Sequence, residues 1–360
     1  MKLILLRLIL CKFTFFFCLA LLFFSLKIDA LELKKISFEG VSQLYLLEEI
    51  KQFSTLSSES FTSESSLKRK ALEESNSISQ FLYRWGYFEA KVTPKIIPIN
   101  DQFYNATFNI TLGKAYQVDS FTFENLPIQL SKSAKEASLP SDLGLKLNSP
   151  LNPKSLEKAH KQLLSLLKDD GFGFATISTP KVEVHLQTKS CSVSWMVSPG
   201  PLLYFGEIEF EGNSTLDKEF LSSFVAWTKD ERFSFKKTQT TTKNLENLGL
   251  FEAIQITYPN SLEENESSLP VSIVLFQERP RTLAAGINYT TQLGIGGELE
   301  WQHRNLANKA IQLSSNLLVF ESQKTLDFNF KNPKFIQDDQ QWLTKIQLKS
   351  EELEGFHDKK

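Results

Sequence analysis

The chain has 360 residues, of which 41% are hydrophobic and 23% are charged. At roughly 100 to 200 residues per domain this length allows two to four domains, and the composition excludes a disordered chain and a helical membrane protein. The formal net charge of -2 excludes the basic field that nucleic-acid binding requires, so we expect no nucleic-acid partner. The 30 Phe residues indicate a strand-rich protein.

The first 30 residues predict a secretory signal peptide. Two basic residues precede the apolar stretch 13–24, which is too short to span a bilayer comfortably, and Ala30 ends a tolerable small-residue cleavage site. We therefore expect residues 1–30 to be removed. The alternative is an uncleaved anchor helix, which Lys12 would interrupt.

A threefold internal repeat follows. Each repeat carries a glycine next to an apolar or aromatic residue, placed between a helical pattern and an alternating one. The three segments are Trp85-Gly86-Tyr87-Phe88-Glu89-Ala90, Asp170-Gly171-Phe172-Gly173-Phe174-Ala175 and Leu248-Gly249-Leu250-Phe251-Glu252-Ala253. We expect each glycine to take the left-handed conformation that ends a helix and turns the chain into a strand.

A short alternating strand precedes the helices of each repeat. These strands are Ile36-Ser37-Phe38-Glu39-Gly40, Phe121-Thr122-Phe123-Glu124-Asn125 and Ile208-Glu209-Phe210-Glu211-Gly212. The predicted order within a repeat is strand, helix, helix, strand, strand, an α+β arrangement. The predicted domains are residues 31–113, 114–200 and 201–279. Their short junctions predict a semi-rigid string of domains.

Past Pro280 the helical pattern disappears and strands of about ten residues follow, each with one apolar and one polar face. This alternation favours the first strands of a transmembrane antiparallel β-barrel over residues 280–360. A soluble sandwich remains the alternative. Because the sequence supplies about five such strands and the smallest single-chain barrels use about eight, we expect an incomplete barrel that forms no pore by itself.

In this order the repeats and strands resemble the BamA/TamA superfamily of outer-membrane assembly barrels. Three segments stand where the polypeptide-transport-associated (POTRA) domain carries its Gly-aromatic turn: Gly86-Tyr87-Phe88, Gly171-Phe172 and Gly249-Leu250-Phe251. The run from Gly296 to Leu306, with Glu298, Glu300, Trp301 and Arg304, resembles the second barrel strand of the family and its exit loop. Three POTRA units resemble a TamA-like subunit more than the essential assembly factor.

The residue patterns predict neither an enzyme nor a cofactor or metal site. The four histidines fall in different predicted elements, without metal-ligand spacing. Gly294, Gly296 and Gly297 predict a hairpin turn, since no Lys-Ser/Thr follows as in a phosphate loop. Glu298 and Glu300 share one strand face and are interpreted as a solvated lumen wall. Cys191, the only cysteine after residue 30, is predicted to be a packed hydrophobe.

The resemblance implies a component that assembles or translocates proteins at a Gram-negative-type outer membrane, with periplasmic N-terminal domains. Its expected partners are outer-membrane lipid, unfolded β-rich client proteins and an inner-membrane TamB-like protein. Clients would add a strand to a free sheet edge, at Phe88–Ile97, Ala175–His185 or Phe251–Tyr258. A two-partner-secretion translocator and a soluble periplasmic POTRA scaffold are the alternatives.

Overall fold

The computed structural model describes residues 31–56, 61–100, 102–263, 266–334 and 340–351, so the predicted signal peptide lies outside the described residues. The chain divides into two compact units whose boundary passes through the second repeat. Among the described residues, the first unit comprises 31–122, 144–159 and 180–194, and the second comprises 123–143, 160–179 and the residues from 195 onward.

The first repeat contains a three-stranded sheet and two helices. In chain order its elements are β1 (Glu32–Glu39), α1 (Leu44–Phe53), α2 (Glu64–Arg84), β2 (Lys91–Pro98) and β3 (Phe103–Thr111). The strand order is β1-β3-β2, with β1 parallel and β2 antiparallel to the central β3. Leu67, Ile78 and Leu82 of α2 recur at helical spacing and are fully buried, in one core with Phe108 of β3.

The second repeat has the same element order but a divided second strand. Its elements are β4 (Gln117–Glu124), α3 (Lys132–Ala137), α4 (Pro153–Asp169), β5 (Thr176–Ile177), β6 (Lys181–His185) and β7 (Ser190–Ser198). The sheet order is β4-β7-β5, and β6 also pairs with β7. The prediction of one continuous strand over Ala175–His185 was therefore wrong. Pro180, which has no N–H for a ladder hydrogen bond, lies in the gap between β5 and β6.

The third repeat returns to the pattern of the first. Its elements are β8 (Tyr204–Gly212), α5 (Lys218–Ser222), α6 (Phe235–Glu246), β9 (Phe251–Thr257) and β10 (Ser268–Gln277), in the sheet order β8-β10-β9. Helix α6 is Thr-rich, but Thr238, Thr241 and Leu245 form one buried face of it. The Thr241 hydroxyl accepts a hydrogen bond from the amide of Ala226 at 2.8 Å. Burial of this face stabilises a helix of weak intrinsic propensity.

A five-stranded antiparallel sheet follows, with its strands in sequence order: β11 (Arg281–Thr290), β12 (Gly294–Leu306), β13 (Ile311–Phe320), β14 (Gln323–Asn332) and β15 (Trp342–Glu351). Gly294 has a φ of 75° where the β11–β12 hairpin ends, whereas Gly296 and Gly297 lie within β12. The predicted fold class, α+β repeats followed by antiparallel strands, is confirmed. Within the part of the chain that the structure describes, no helix is long and apolar enough to cross a bilayer.

Candidate functional site

The predicted turn glycines all adopt the left-handed conformation, with φ of 82° at Gly86, 92° at Gly171 and 62° at Gly249. Each lies just after the helix that precedes the second strand of its repeat. The amide of Gly86 donates to the carbonyl of Tyr83, and that of Gly249 donates to the carbonyl of Glu246. A residue with a Cβ would be strained at these positions, so the helix ends are specified locally.

The aromatic residues beside these glycines point away from the sheet edges. Tyr87 and Phe172 are buried, and Phe251 is half-buried against the core of the third repeat. The ring of Phe88 packs edge-on against Tyr116, with the centroids 5.2 Å apart. The sheet edges therefore present backbone groups, and these side chains serve packing.

The first glycine turn is also a junction with the following repeat. The carbonyl of Gly86 accepts a hydrogen bond from the amide of Tyr116 at 2.9 Å. The Tyr116 hydroxyl donates to Glu89 Oε1 at 3.1 Å, and Lys189 Nζ lies 3.0 Å from the same oxygen. Hydrogen bonds from Lys189 and then Tyr116 lower the pKa of Glu89.

The second glycine turn repeats this arrangement with different partners. The carbonyl of Gly171 accepts from the amide of Leu203 at 2.8 Å. Arg232 of the third repeat donates from Nε to the carbonyl of Asp170 at 2.8 Å, and its Nη2 lies 3.2 Å from the Asp170 carboxylate. A backbone bond and a charged clamp thus join the second and third repeats.

The third glycine turn contacts the five-stranded sheet. Gln312 Nε2 of β13 donates to the carbonyl of Leu248, and Lys331 Nζ of β14 donates to the carbonyl of Asn247 at 2.7 Å. Nearby, the amide of buried Asn305 donates from Nδ2 to Thr215 Oγ1 at 3.0 Å. The sequence analysis did not predict the contacts at these three glycine turns. The recurrence of the glycine was the only sequence feature that pointed to them.

The three predicted client edges differ in what they offer a partner strand. Strand β2 carries Pro94 and Pro98, which are four residues apart and therefore direct their N–H-lacking nitrogens to the same side. Since β2 pairs with β3 throughout, that side is the free edge. Strands β5 and β6 are short and interrupted. Strand β9 lies at the edge of its sheet with seven residues and no proline.

A groove runs between the β9 edge and helix α6. Its volume is about 440 Å³, and its lining includes Phe235 and Thr242 from the helix with Ile256 and Tyr258 from the strand side. The Tyr258 ring packs edge-on against Phe233 at 5.6 Å, and burial raises the pKa of its hydroxyl. A strand added to β9 would place its inward side chains in this groove.

The residues of β12 divide between the two faces of the five-stranded sheet. Glu298 accepts hydrogen bonds from Asn288 Nδ2 at 2.7 Å and Asn316 Nδ2 at 2.9 Å. Glu300 lies two residues along the strand on this polar face, and Arg304 lies farther along it, donating to Thr282 Oγ1 at 2.7 Å.

Trp301 lies on the opposite, apolar face. That face continues across the sheet through directly paired side chains: Leu283 with Trp301, Tyr289 with Ile295, Leu299 with Leu317, and Leu326 with Leu348. All eight are large hydrophobic residues exposed in the structure, and Leu283 is 72% exposed. A soluble protein rarely exposes a contiguous apolar surface of this extent.

The sequence also led to predictions about metal binding and about the state of Cys191. Among the described residues, no three His, Cys, Asp or Glu side chains are close enough to hold a metal ion. Cys191 is fully buried in β7, and burial raises the pKa of its thiol to about 11. The predicted site residues form three separate junctions and one sheet, and no single active centre brings them together.

Comparison with known proteins gives one family match. Residues 31–113 and 203–274 match the POTRA family, described as a surface antigen variable number repeat. These ranges fall in the predicted first and third repeats. The second repeat lies outside them, and its assignment stays a prediction.

Among solved structures, a BamA from Haemophilus ducreyi lacking POTRA domains 1–3 is similar, with a TM-score of 0.50 at 14% identity. The match covers 66% of this chain and 43% of that chain, so this chain spans less than half of that relative. POTRA3–5 of Haemophilus influenzae BamA matches with a TM-score of 0.43 at 15% identity, covering 69% of this chain and 97% of that chain.

Proposed function

We propose that this chain, which carries POTRA domains ahead of part of a barrel with the BamA fold, takes part in assembling or translocating β-rich proteins at an outer membrane. The observation that carries the proposal is the open edge of β9 beside its groove. Unpaired backbone groups at such an edge accept an extended segment without requiring a particular sequence. This mechanism suits clients that share only an extended, unfolded conformation.

The five-stranded sheet supports a membrane location. Its apolar face exposes large side chains such as Ile287, which is 85% exposed, while Glu298 and Glu300 lie on the other face. Transfer of each large apolar side chain out of water stabilises the chain by about 1.5–3 kcal/mol. A lipid-facing sheet with a wet inner face accounts for this division, and it favours a membrane protein over a soluble periplasmic scaffold.

Within this proposal β9 is the principal acceptor strand. Two of the outward backbone positions of β2 lack a donor because they are prolines, and β5 contributes only two residues. The β9 edge combines a full-length strand with a groove of about 440 Å³ for the side chains of the added strand. We therefore assign client pairing to the third repeat, next to the sheet.

A photo-crosslinking experiment tests this assignment. A photoreactive amino acid replaces exposed Gln255 of β9 in one variant and exposed Lys95 of β2 in a matched control. The probe is a peptide of alternating apolar and polar residues, and a second peptide of the same composition carries two central prolines. We expect crosslinking at position 255 with the first peptide only. Equal crosslinking at position 95, or with the proline peptide, would contradict pairing at β9.

The membrane location is tested separately. The full chain is expressed in a Gram-negative host, and its membranes are washed with alkaline carbonate. Retention in the outer-membrane fraction is expected, whereas release of the protein would favour the soluble scaffold. A TamB-like inner-membrane partner and a TamA-like role remain part of the proposal, and co-purification with such a partner is their test. A two-partner-secretion translocator would instead crosslink to one dedicated client.

A further inference from the structure

We propose that the junction between the third repeat and the five-stranded sheet binds the phosphate of a phospholipid headgroup. This inference rests on the proposed function, because it places the apolar sheet face against lipid. The site is a cavity of about 580 Å³ whose lining includes Arg279, Arg281 and His303. It lies where β11 begins and β12 ends, on the same side as the third repeat.

Two of these residues lie at the margin of the apolar face. Arg281 and His303 are directly paired across β11 and β12, and the next pair on the same face is Leu283 with Trp301. Leu283 is 72% exposed and Trp301 is 38% exposed. Along this face, Arg281 and His303 therefore come just before the apolar pair Leu283 and Trp301. A charged headgroup and an acyl chain follow one another in the same order in a bilayer leaflet.

The charge of the cavity favours an anion. Arg279 and Arg281 both line it and are exposed. Glu278 is the one carboxylate among its lining residues in the described part of the chain, and it lies 3.7 Å from Nε of Arg304. The Glu278 carboxylate is therefore already paired with Arg304. The positive charges of Arg279 and Arg281 remain to attract an anion into the cavity. Guanidinium groups match the geometry of phosphate oxygens.

Uncharged donors complete the site. His303 Nδ1 accepts a hydrogen bond from the amide of Asn305 at 3.3 Å, so in the neutral ring the hydrogen is on Nε2, which can donate. Asn213 uses its Oδ1 to accept from the amide of Gln277 at 2.6 Å, and its Nδ2 remains a donor. A phosphate oxygen only accepts hydrogen bonds, so a cavity rich in donors suits it.

A phospholipid fits this surface better than free phosphate does. Arg281 and His303 line the cavity, and Leu283 and Trp301 form the next pair on the same face of the sheet, so an acyl chain that extends from a headgroup in the cavity would cover both. Free phosphate would leave these side chains in water. A diacylglycerol would cover them but leave the arginines without an anion. The expected order of affinity is phospholipid first, with phosphate and diacylglycerol both weaker.

The test is a binding titration of the full chain in non-ionic detergent micelles, in which calorimetry measures the heat of binding of each probe. The three probes are dihexanoyl phosphatidylglycerol, inorganic phosphate and dihexanoylglycerol. We expect the phospholipid to bind at least about tenfold more tightly than either fragment, and Arg281→Gln and Arg279→Gln each to weaken it about tenfold, as the loss of a charged hydrogen bond implies. Lys324→Gln, at the opposite end of the sheet, is the matched charge control and should leave binding unchanged.

Three outcomes would overturn the inference: phosphate binding as tightly as the phospholipid, diacylglycerol binding as tightly as the phospholipid, or equal weakening by Lys324→Gln. Circular dichroism of each variant identifies loss of folding, and Arg281→Lys, which keeps the charge, should retain part of the affinity. Failure of the proposed function would appear differently, as release of the wild-type chain by the carbonate wash. Membrane retention with a flat titration would reject only the headgroup site.

Discussion

Asp169 caps a helix that belongs to the next repeat. Its Oδ1 accepts a hydrogen bond from the backbone amide of Lys236 at 2.7 Å, and Lys236 lies in the first turn of α6. Ser234, the residue at the N-cap of α6, makes no side-chain cap hydrogen bond. The last residue of α4 therefore supplies the cap that the second helix of the third repeat lacks, which couples the stability of one repeat to its neighbour.

Asp169→Ala should destabilise α6 by about 1 kcal/mol, because it leaves a helix-terminal N–H without an acceptor and removes a negative charge from the positive end of the helix dipole. The measurement is native-state hydrogen exchange of the α6 amides. Asp142→Ala, in an exposed turn, is the control and should change them little. Equal effects from both variants would show that the cap contributes nothing.

Replacement of Gly86 by alanine should loosen the first junction as well as strain the turn. A Cβ at Gly86 would lie 3.2 Å from Leu151 Cβ and 3.2 Å from the carbonyl oxygen of Tyr116. Gly144 provides the matched control, since its φ is 76° and a Cβ there would meet nothing within 4 Å. Both variants should lose about 1–2 kcal/mol of stability from the left-handed backbone.

Only Gly86→Ala should also accelerate exchange of the Tyr116 amide, which donates to the carbonyl of residue 86. Hydrogen exchange at residue resolution distinguishes the two variants. Unchanged protection of Tyr116 in Gly86→Ala would mean that the junction tolerates the added methyl group.

Cys191 should resist alkylation in the native protein. With a pKa of about 11, only about one thiol in a thousand is ionised at pH 8, and the side chain is fully buried in β7. In a Cys11→Ser, Cys18→Ser background, iodoacetamide should label the chain in urea and leave the native chain unlabelled, as read by intact mass. A further Thr188→Cys variant adds a thiol in the exposed turn before β7 and should be labelled in the native state.

The first junction should weaken in acid. The pKa of Glu89 is lowered in the folded protein from 4.5, so its ionised form contributes stability above that pH. Glu89 loses this contribution to stability as the pH falls from 4.5 through the lower pKa that Glu89 has in the folded protein. Because Glu89 and Lys189 are both about 40% exposed, solvent screens the pair and the effect should be small.

The measurement is the protection factor of the Tyr116 amide between pH 6 and pH 3. These two pH values lie on the order of one unit or more above and below the ordinary pKa of a carboxyl group. Wild-type protection should fall over this range, whereas Glu89→Gln should start lower and change less. Glu124→Gln, at an exposed position of β4, should behave as the wild type. A Glu89→Gln profile identical to the wild type would contradict the assignment.

The sequence alone determined the features that depend on local geometry. The left-handed conformations of Gly86, Gly171 and Gly249 are favoured locally, because a Cβ in that conformation crowds the adjacent backbone at a cost of about 1–2 kcal/mol and glycine has no Cβ. The alternation in the C-terminal strands determined which side chains share a face, since successive side chains point to opposite sides of a strand. The first repeat, the third repeat and the antiparallel sheet followed from these periods.

Only the tertiary structure decided which residues meet. Asp169 and Lys236 are 67 residues apart, and Arg232 and Asp170 are 62 apart, so no period or motif in the sequence connects them. The same holds for Arg281 and His303, whose pairing depends on the length of the hairpin that joins β11 to β12. Contacts of this kind arise from the packing of whole elements, and packing depends on every side chain in the interface at once.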